Sequence, residues 1–261
     1  MARDLRFVIN ADDFGMDDDT CSQTIRCLED GAVTSASIMP TMPQTARACE
    51  YARGRNHLSF GVHLTFVRDT VEEPAAAAER IRTLTDDRGR FMDSNTVRMR
   101  ALAGRIDASH IAAEIEAQLA RVHDFGVHIS HVDSHGHLHK FPVFQRALES
   151  VLPRFGVRRV RNQQNLYARW AWRSPTWWLA KAWRPIARGP WQTTDWFYMP
   201  AGDGVDDWPR WLLGSAHSGS VEVGVHPGAA EAWRSEEREN AYRLKDLLGE
   251  RRVPLVPWSA I

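Results

Sequence analysis

Leu5-Arg6-Phe7-Val8-Ile9 runs into Asn10-Ala11-Asp12-Asp13, and this passage from an apolar run to a polar tip recurs along the chain. Leu58-Ser59-Phe60-Gly61-Val62 ends in His63, Gly126-Val127-His128-Ile129-Ser130 leads into His131-Val132-Asp133, and Val221-Glu222-Val223-Gly224-Val225 ends in His226-Pro227-Gly228. Each run has the length and residue types of a buried strand. Between them lie helical patterns. Over 111–122, Ile111, Ile115, Leu119 and Val122 recur at spacings of three and four, with Asp107 or Ser109 placed to cap the helix. Strands alternating with helices predict a parallel sheet of the α/β class, whose catalytic groups gather at the carboxyl ends of the strands. Four polar tips then face one mouth.

The length suits one (β/α) barrel over 1–261, interrupted by a Trp/Arg-rich insertion at about 165–191. With 33 basic and 33 acidic residues the formal charge is zero. That balance argues against a nucleic-acid partner, since phosphate binding needs a face with excess Lys and Arg. Cys21, Cys27 and Cys49 match neither a zinc knuckle nor a disulfide framework, and read as reduced, buried thiols. The first apolar run stops at Asn10, too soon for a signal peptide, and no stretch approaches the roughly 18 apolar residues of a membrane span. A cytoplasmic protein is the expectation, with homo-oligomers compatible with the sequence.

In His131-Val132-Asp133-Ser134-His135-Gly136-His137-Leu138-His139 five ionisable side chains occupy alternate positions, which an extended chain would put on one face. Burying so many is costly unless a metal or a reaction uses them, so the stretch is either a solvated loop or a ligand cluster. Its position directly after an apolar strand favours the cluster. Asp12 and Asp13, adjacent on a strand, are expected to point to opposite sides and to hold different tasks, one binding a cation and the other accepting a proton from water. Either could instead cap the next helix. His63 and His226, each taken alone, read as hydrogen-bonded core histidines. Asp or His at all four tips is what a site with ligands, a base and an acid requires.

These residues resemble the ChbG/HpnK-type carbohydrate deacetylases, also called YdjC-like proteins. The stretches that carry the resemblance are Asn10-Ala11-Asp12-Asp13-Phe14-Gly15, Gly61-Val62-His63-Leu64-Thr65, 131–139 followed by Lys140-Phe141-Pro142, and Val225-His226-Pro227-Gly228, in the family's order. Smaller echoes are Thr34-Ser35-Ala36-Ser37, Asp86-Asp87-Arg88-Gly89-Arg90-Phe91 and Thr194-Asp195-Trp196-Phe197-Tyr198. The resemblance implies a distorted, TIM-like (β/α) barrel of the carbohydrate and polysaccharide deacetylase type, acting on an N-acetylated sugar or glycolipid. It implies one divalent ion on Asp13, His63 and His135, Asp12 as catalytic base and His226 as general acid. The family's usual ion is magnesium, whereas two imidazoles and one carboxylate suit zinc, iron or cobalt better.

Asp133 and His137 are candidates to orient the ligands from behind. Arg161, at the end of Val157-Arg158-Arg159-Val160-Arg161, is placed to hold a carboxylate such as Asp12 from a fifth strand end. His139 and Asp195 are candidate substrate-mouth residues. From 154 to 194 there are nine basic residues, no acidic residue, and Trp170, Trp172, Trp177, Trp178, Trp183 and Trp191. That segment reads as a packed cover, as a stacking platform for sugar rings, or as a patch for an anionic membrane surface, which would place the protein peripherally at the inner membrane. Two other functions use similar residues: a two-metal phosphoesterase or amidohydrolase, and a noncatalytic sugar- or metal-binding protein.

Overall fold

The computed structural model describes residues 4–167, 178, 189–201, 205 and 207–261. Six parallel strands form one curled sheet in the order β4-β3-β2-β1-β6-β5: β1 Arg6–Phe14, β2 Ser35–Ile38, β3 Ser59–Leu64, β4 Ile129–Ser134, β5 Trp196–Tyr198 and β6 Ser220–Val225. Single parallel bridges from Val132 to Val160 and from Arg159 to Gln192 carry the ladder onward from β4 toward the chain that enters β5. The sheet thus curls into a distorted barrel. Because all its strands are parallel, their carboxyl ends lie at one rim.

Among the described residues the α-helices are α1 Asp18–Glu29, α2 Thr45–Ala52, α3 Ser94–Leu102, α4 Ala108–Asp124, α5 Pro142–Val151, α6 Trp208–Ser215 and α7 Ala232–Glu250. α4 follows the expected pattern: Ile111, Ile115, Leu119 and Val122 are buried, and the Asp107 side chain accepts from the Ser109 amide. The run 83–98, with Asp86-Asp87-Arg88-Gly89-Arg90, reads from sequence as a surface loop built around a turn, but α3 begins inside it at Ser94. Only Val97 of α3 is buried, so no apolar stripe announces it; Asp93 fixes its start by accepting from the Asn95 and Thr96 amides. The turn at 86–90 does form, around the Asp86 carboxylate and Arg90.

Strand alternation divides the sheet into two chemically distinct faces. Phe7, Ile9 and Ala11, Ala36 and Ile38, Phe60, Val62 and Leu64, and Val221, Val223 and Val225 belong to the apolar core shared with the helices. The intervening Asn10, Asp12, Ser37, His63, His131 and Asp133 are buried and bonded to one another across the interior, and buried Glu222 joins them through Arg161. Polar residues therefore line the barrel deep along its strands as well as at their tips, where such interiors usually hold Val, Ile and Leu. Trp258 fills part of this interior, stacked on His131 at 5.0 Å with its indole N–H directed at Glu222. Gly61 makes room for the histidine, since a Cβ there would stand 2.6 Å from the His131 ring.

Three expectations about strand ends are corrected. The 131–139 stretch stays extended only to Ser134; His135–Lys140 forms a tight 3₁₀ turn with Gly136 and His137 at positive φ, so its histidines do not share one extended face. β1 continues through Asp12 and Asp13 to Phe14, with a register shift against β2 and Asp13 at φ 58. That left-handed residue breaks the alternation, and both carboxylates turn to the same rim. The run 157–161 makes isolated bridges instead of a fifth regular strand. The three cysteines are free and buried, and burial pushes their thiols up to about 11, 11 and 12 for Cys21, Cys27 and Cys49.

Candidate active site

A cleft of about 400 Å³ opens at the carboxyl rim, lined by Asp12 and Asp13, His63, His135, His137 and His226 among others. Asp13 Oδ1 lies 3.4 Å from His63 Nε2 and 3.3 Å from His135 Nδ1. Ligand atoms about 2.1 Å from a common ion at roughly tetrahedral angles stand about 3.4 Å apart, so these three atoms suit a cation between them. The opposite nitrogen of His63, Nδ1, lies 2.8 Å from Asp133 Oδ1, an arrangement that directs the Nε2 lone pair at Asp13. A lone pair and a carboxylate oxygen buried face to face repel unless a proton or a metal intervenes. Burial opposes the charged form of His63, but Asp133, then Asp12 and Asp13, raise its pKa. Burial likewise works to raise Asp13, yet the His135 bond and the charges of His226, His135 and His63 hold it well below the usual carboxylate range. The pocket calls for positive charge at one point.

Asp12 is held from behind. Arg161 donates to both of its oxygens, from NH1 at 2.6 Å and NH2 at 2.7 Å, and Asn10 Nδ2 donates to Oδ1 at 2.8 Å. The same buried guanidinium lies 2.8 Å from Asp133 Oδ2 and donates through Nε to Glu222 at 2.7 Å. Three carboxylates share this one cation. Burial pushes Glu222 up to about 7 despite Arg161, while Arg161 and His63 overcome the burial of Asp133 and keep it ionised.

His226 is oriented from α7. Its backbone N–H donates to Glu237 Oε2 at 2.8 Å, and its Nδ1 lies 3.0 Å from the same oxygen. Burial alone would depress this imidazole, but the bond and charge of Glu237, then Asp13 and Asp12, push it up to about 9. Trp233 lies T-shaped to it at 5.5 Å, lines the cleft and is 40% exposed.

The remaining candidates divide. His137 lines the cleft and contacts Met199 Sδ at 3.2 Å, where a partner behind the ligands was expected; Asp133 does stand behind His63. His139 is buried against Ser134 Oγ at 2.8 Å, below the mouth where it was expected. Asp195 accepts from the Ser220 amide at 2.9 Å, at the amino end of β6 and so at the rim opposite the site. Its place before a short strand fixes the start of β6 and takes it away from the mouth.

A model of the family described as YdjC-like protein matches residues 6–252. The chain belongs to the YdjC-like family. It is 32% identical over 130 residues to a protein of Thermoanaerobacter pseudethanolicus named carbohydrate deacetylase, covering 50% of this chain and 49% of that one. A Geobacillus stearothermophilus protein of the same name is 30% identical over 150 residues, covering 57% and 56%. The matched part thus spans about half the length of these curated relatives. Over 99% of both chains the fold superposes with a TM-score of 0.78, at 21% identity, on an Enterococcus faecalis protein provisionally named for cellobiose-phosphate cleavage. A lactam utilization protein of Thermus thermophilus follows with a TM-score of 0.54 at 13% identity over 96% of this chain and 99% of that one. Both likenesses concern the fold.

This YdjC-like chain also uses residues that its sequence motifs do not single out. Glu222 is a charge at an inward position of an apolar strand, a pattern that signals a buried partner. Arg234 and Glu237 are three apart on a helix crowded with charge, and nothing local sets them off from its solvated residues. Asp69 stands 3.9 Å from His135 on the loop after β3 and lines the cleft. Of the six tryptophans between 154 and 194, Trp178 and Trp191 alone are described, one exposed and one half-buried; Trp170, Trp172, Trp177 and Trp183 lie outside the described residues. Among the described residues no helix is long and apolar enough to cross a membrane.

Proposed function

We propose that this protein is a metal-dependent N-deacetylase of amino sugars. The observation that carries the reading is the convergence of Asp13, His63 and His135 on one point of a cleft that Asp12 and His226 also line. The names of the curated relatives support the reaction class and the carbohydrate substrate. Asp13, His63 and His135 would hold a divalent ion, which would supply Lewis acidity toward the amide carbonyl and toward water.

The chain's own groups supply proton transfer. Asp12 receives the proton of the attacking water: Oδ1 already accepts from Arg161 and Asn10, Oδ2 accepts from Arg161 and retains capacity for a further bond, and the guanidinium fixes the orientation of the carboxylate. His226, with Nδ1 engaged by Glu237, delivers a proton from Nε2 to the departing amine nitrogen. The products are the free amino sugar and acetate. The exposed part of Trp233 at the edge of the cleft offers apolar surface to a sugar ring. Two imidazoles and a carboxylate favour zinc, iron or cobalt, and magnesium follows from family resemblance; reconstitution of metal-free protein with each ion decides.

A two-metal phosphoesterase is disfavoured. The second grouping of potential ligands, Asp12, His63 and Asp133, shares His63 with the first and has the Arg161 guanidinium bonded to both of its carboxylates. A cation there would meet a fixed like charge. The deciding assay measures acetate released from N-acetylated mono-, di- and lipid-linked saccharides, with metal analysis of the same sample. Acetate formation with one ion per chain is expected; saccharide binding without acetate release would make the protein a binder.

The His226–Glu237 pair gives a pH signature. In Glu237→Gln the charge that raises His226 is removed, so the alkaline limb of kcat is expected to move down from about 9 toward the ordinary histidine value near 6.5. Turnover then falls across neutral pH while the acid limb stays in place. An unchanged alkaline limb in this variant removes His226 as the acid.

A further inference from the structure

Arg234 is a buried arginine at the start of α7 that reaches the proposed metal site. Its NH2 donates to Asp13 Oδ2 at 2.9 Å, while Asp13 Oδ1 faces His63 Nε2 and His135 Nδ1. The two oxygens of one carboxylate are therefore divided between a guanidinium and the ligand cluster. The arginine is itself firmly placed: Nε donates to Glu231 at 2.8 Å, the guanidinium lies 4.5 Å from the Trp233 ring centre, and NH2 also contacts Met16 Sδ at 3.4 Å. Gly228 leaves space for its stem, since a Cβ there would stand 2.8 Å from Arg234 Cβ. Asp13, at φ 58, is held in a backbone conformation that few non-glycine residues adopt, and the Arg234 bond fixes which oxygen it presents.

We propose that Arg234 is a positioning residue that restricts Asp13 to a single ligating oxygen and, through its charge, weakens cation binding in favour of turnover. The proposal rests on the reading of Asp13, His63 and His135 as the metal site. A carboxylate with both oxygens free can chelate an ion, filling a coordination position that a reacting group needs; one with Oδ2 bonded to a guanidinium is held back from doing so. A fixed cation bonded to the ligand also repels a metal ion beside it, most strongly in a buried site. Removing most orienting partners of ligands weakens metal binding. Here the partner carries the same sign of charge as the metal, and its removal is expected to act in the opposite direction.

The test compares wild-type protein with Arg234→Met, which keeps an apolar stem against Gly228 and Trp233, and with Arg234→Lys, which keeps the charge. Zinc and cobalt(II) affinities are measured by calorimetry on metal-free protein, the visible spectrum of the cobalt(II) form reports coordination number, and kcat is measured on an N-acetylated disaccharide. Arg234→Met is expected to bind either ion about 10-fold more tightly, to lose cobalt(II) absorption intensity as coordination number rises, and to lower kcat about 10-fold or more. Arg234→Lys, which keeps a like charge beside the ion, is expected to stay within about 2-fold of wild-type affinity. Weaker or unchanged affinity in Arg234→Met overturns the proposal, as does tightening of equal size in Arg234→Lys. Should Arg234→Met not fold, Arg234→Leu, likewise uncharged and without a donor, carries the same expectation with the same reversal. Wild-type protein that binds neither ion defeats the metal-site reading itself, a result separate from any of these.

Discussion

Asp12→Asn is expected to lower kcat by about 10³-fold while leaving one divalent ion bound per chain. The carboxylate lines the cleft and lies outside the Asp13, His63 and His135 trio, so its charge is not needed to retain the cation there. What the amide loses is basicity: it cannot take a proton from water. The substitution has a structural cost, because Arg161 aims NH1 and NH2 at the two Asp12 oxygens and one of those donors would then face an amide NH₂. Leaving a buried donor without its acceptor costs about 1–3 kcal/mol, and more for a charged one, so Tm is recorded beside activity. Metal content by elemental analysis and acetate release on the same preparation separate the two effects. Normal turnover with normal metal content would remove Asp12 as the base, whatever the stability.

The second large effect is expected at the ligands. Asp13→Asn and His135→Ala should each weaken binding of zinc or cobalt(II) by at least about 10²-fold, beyond what loss of an orienting neighbour produces, and abolish turnover at micromolar metal. Asn is chosen at 13 because it tolerates φ 58, which keeps the backbone unstrained, and because it removes the trio's only anion. His135 is half-buried on the turn after β4, so its removal costs little packing and is the cleaner test. Calorimetry on metal-free protein checks both. Retained affinity in both variants would mean that the convergence of Asp13 Oδ1, His63 Nε2 and His135 Nδ1 is a hydrogen-bonded cluster with His63 protonated.

The barrel was legible because its evidence is local. Apolar runs of strand length at Phe7, Phe60, Ile129 and Val221, separated by helical patterns such as 111–122, specify parallel strands without reference to any distant residue. α3 was not legible for the same reason: with Val97 its only buried residue it has no stripe to read, and a side-chain cap sets its start. The interior polar face was half visible. Asn10, Asp12, Ser37, His63, His131, Asp133 and Glu222 alternate with apolar neighbours, but the high apolar content of each run drew the reading toward uniformly buried strands with polar tips.

By itself, the sequence determined that the strand ends bearing Asp12 and Asp13, His63, 131–135 and His226 would lie at one rim. Parallel strands bring their carboxyl ends together whatever the rest of the chain does. Only the tertiary structure decided how those side chains are wired. Arg161 joins Asp12, Asp133 and Glu222; Arg234 takes one oxygen of Asp13; Glu237 fixes His226; and His139 and Asp195 turn away to Ser134 and Ser220. The physical reason is range. Periodicity records a residue's relation to neighbours a turn or a strand away, whereas a buried charge finds its partner by the packing of elements far apart in the chain, and a left-handed residue such as Asp13 or His137 redirects a side chain only when that packing holds it there.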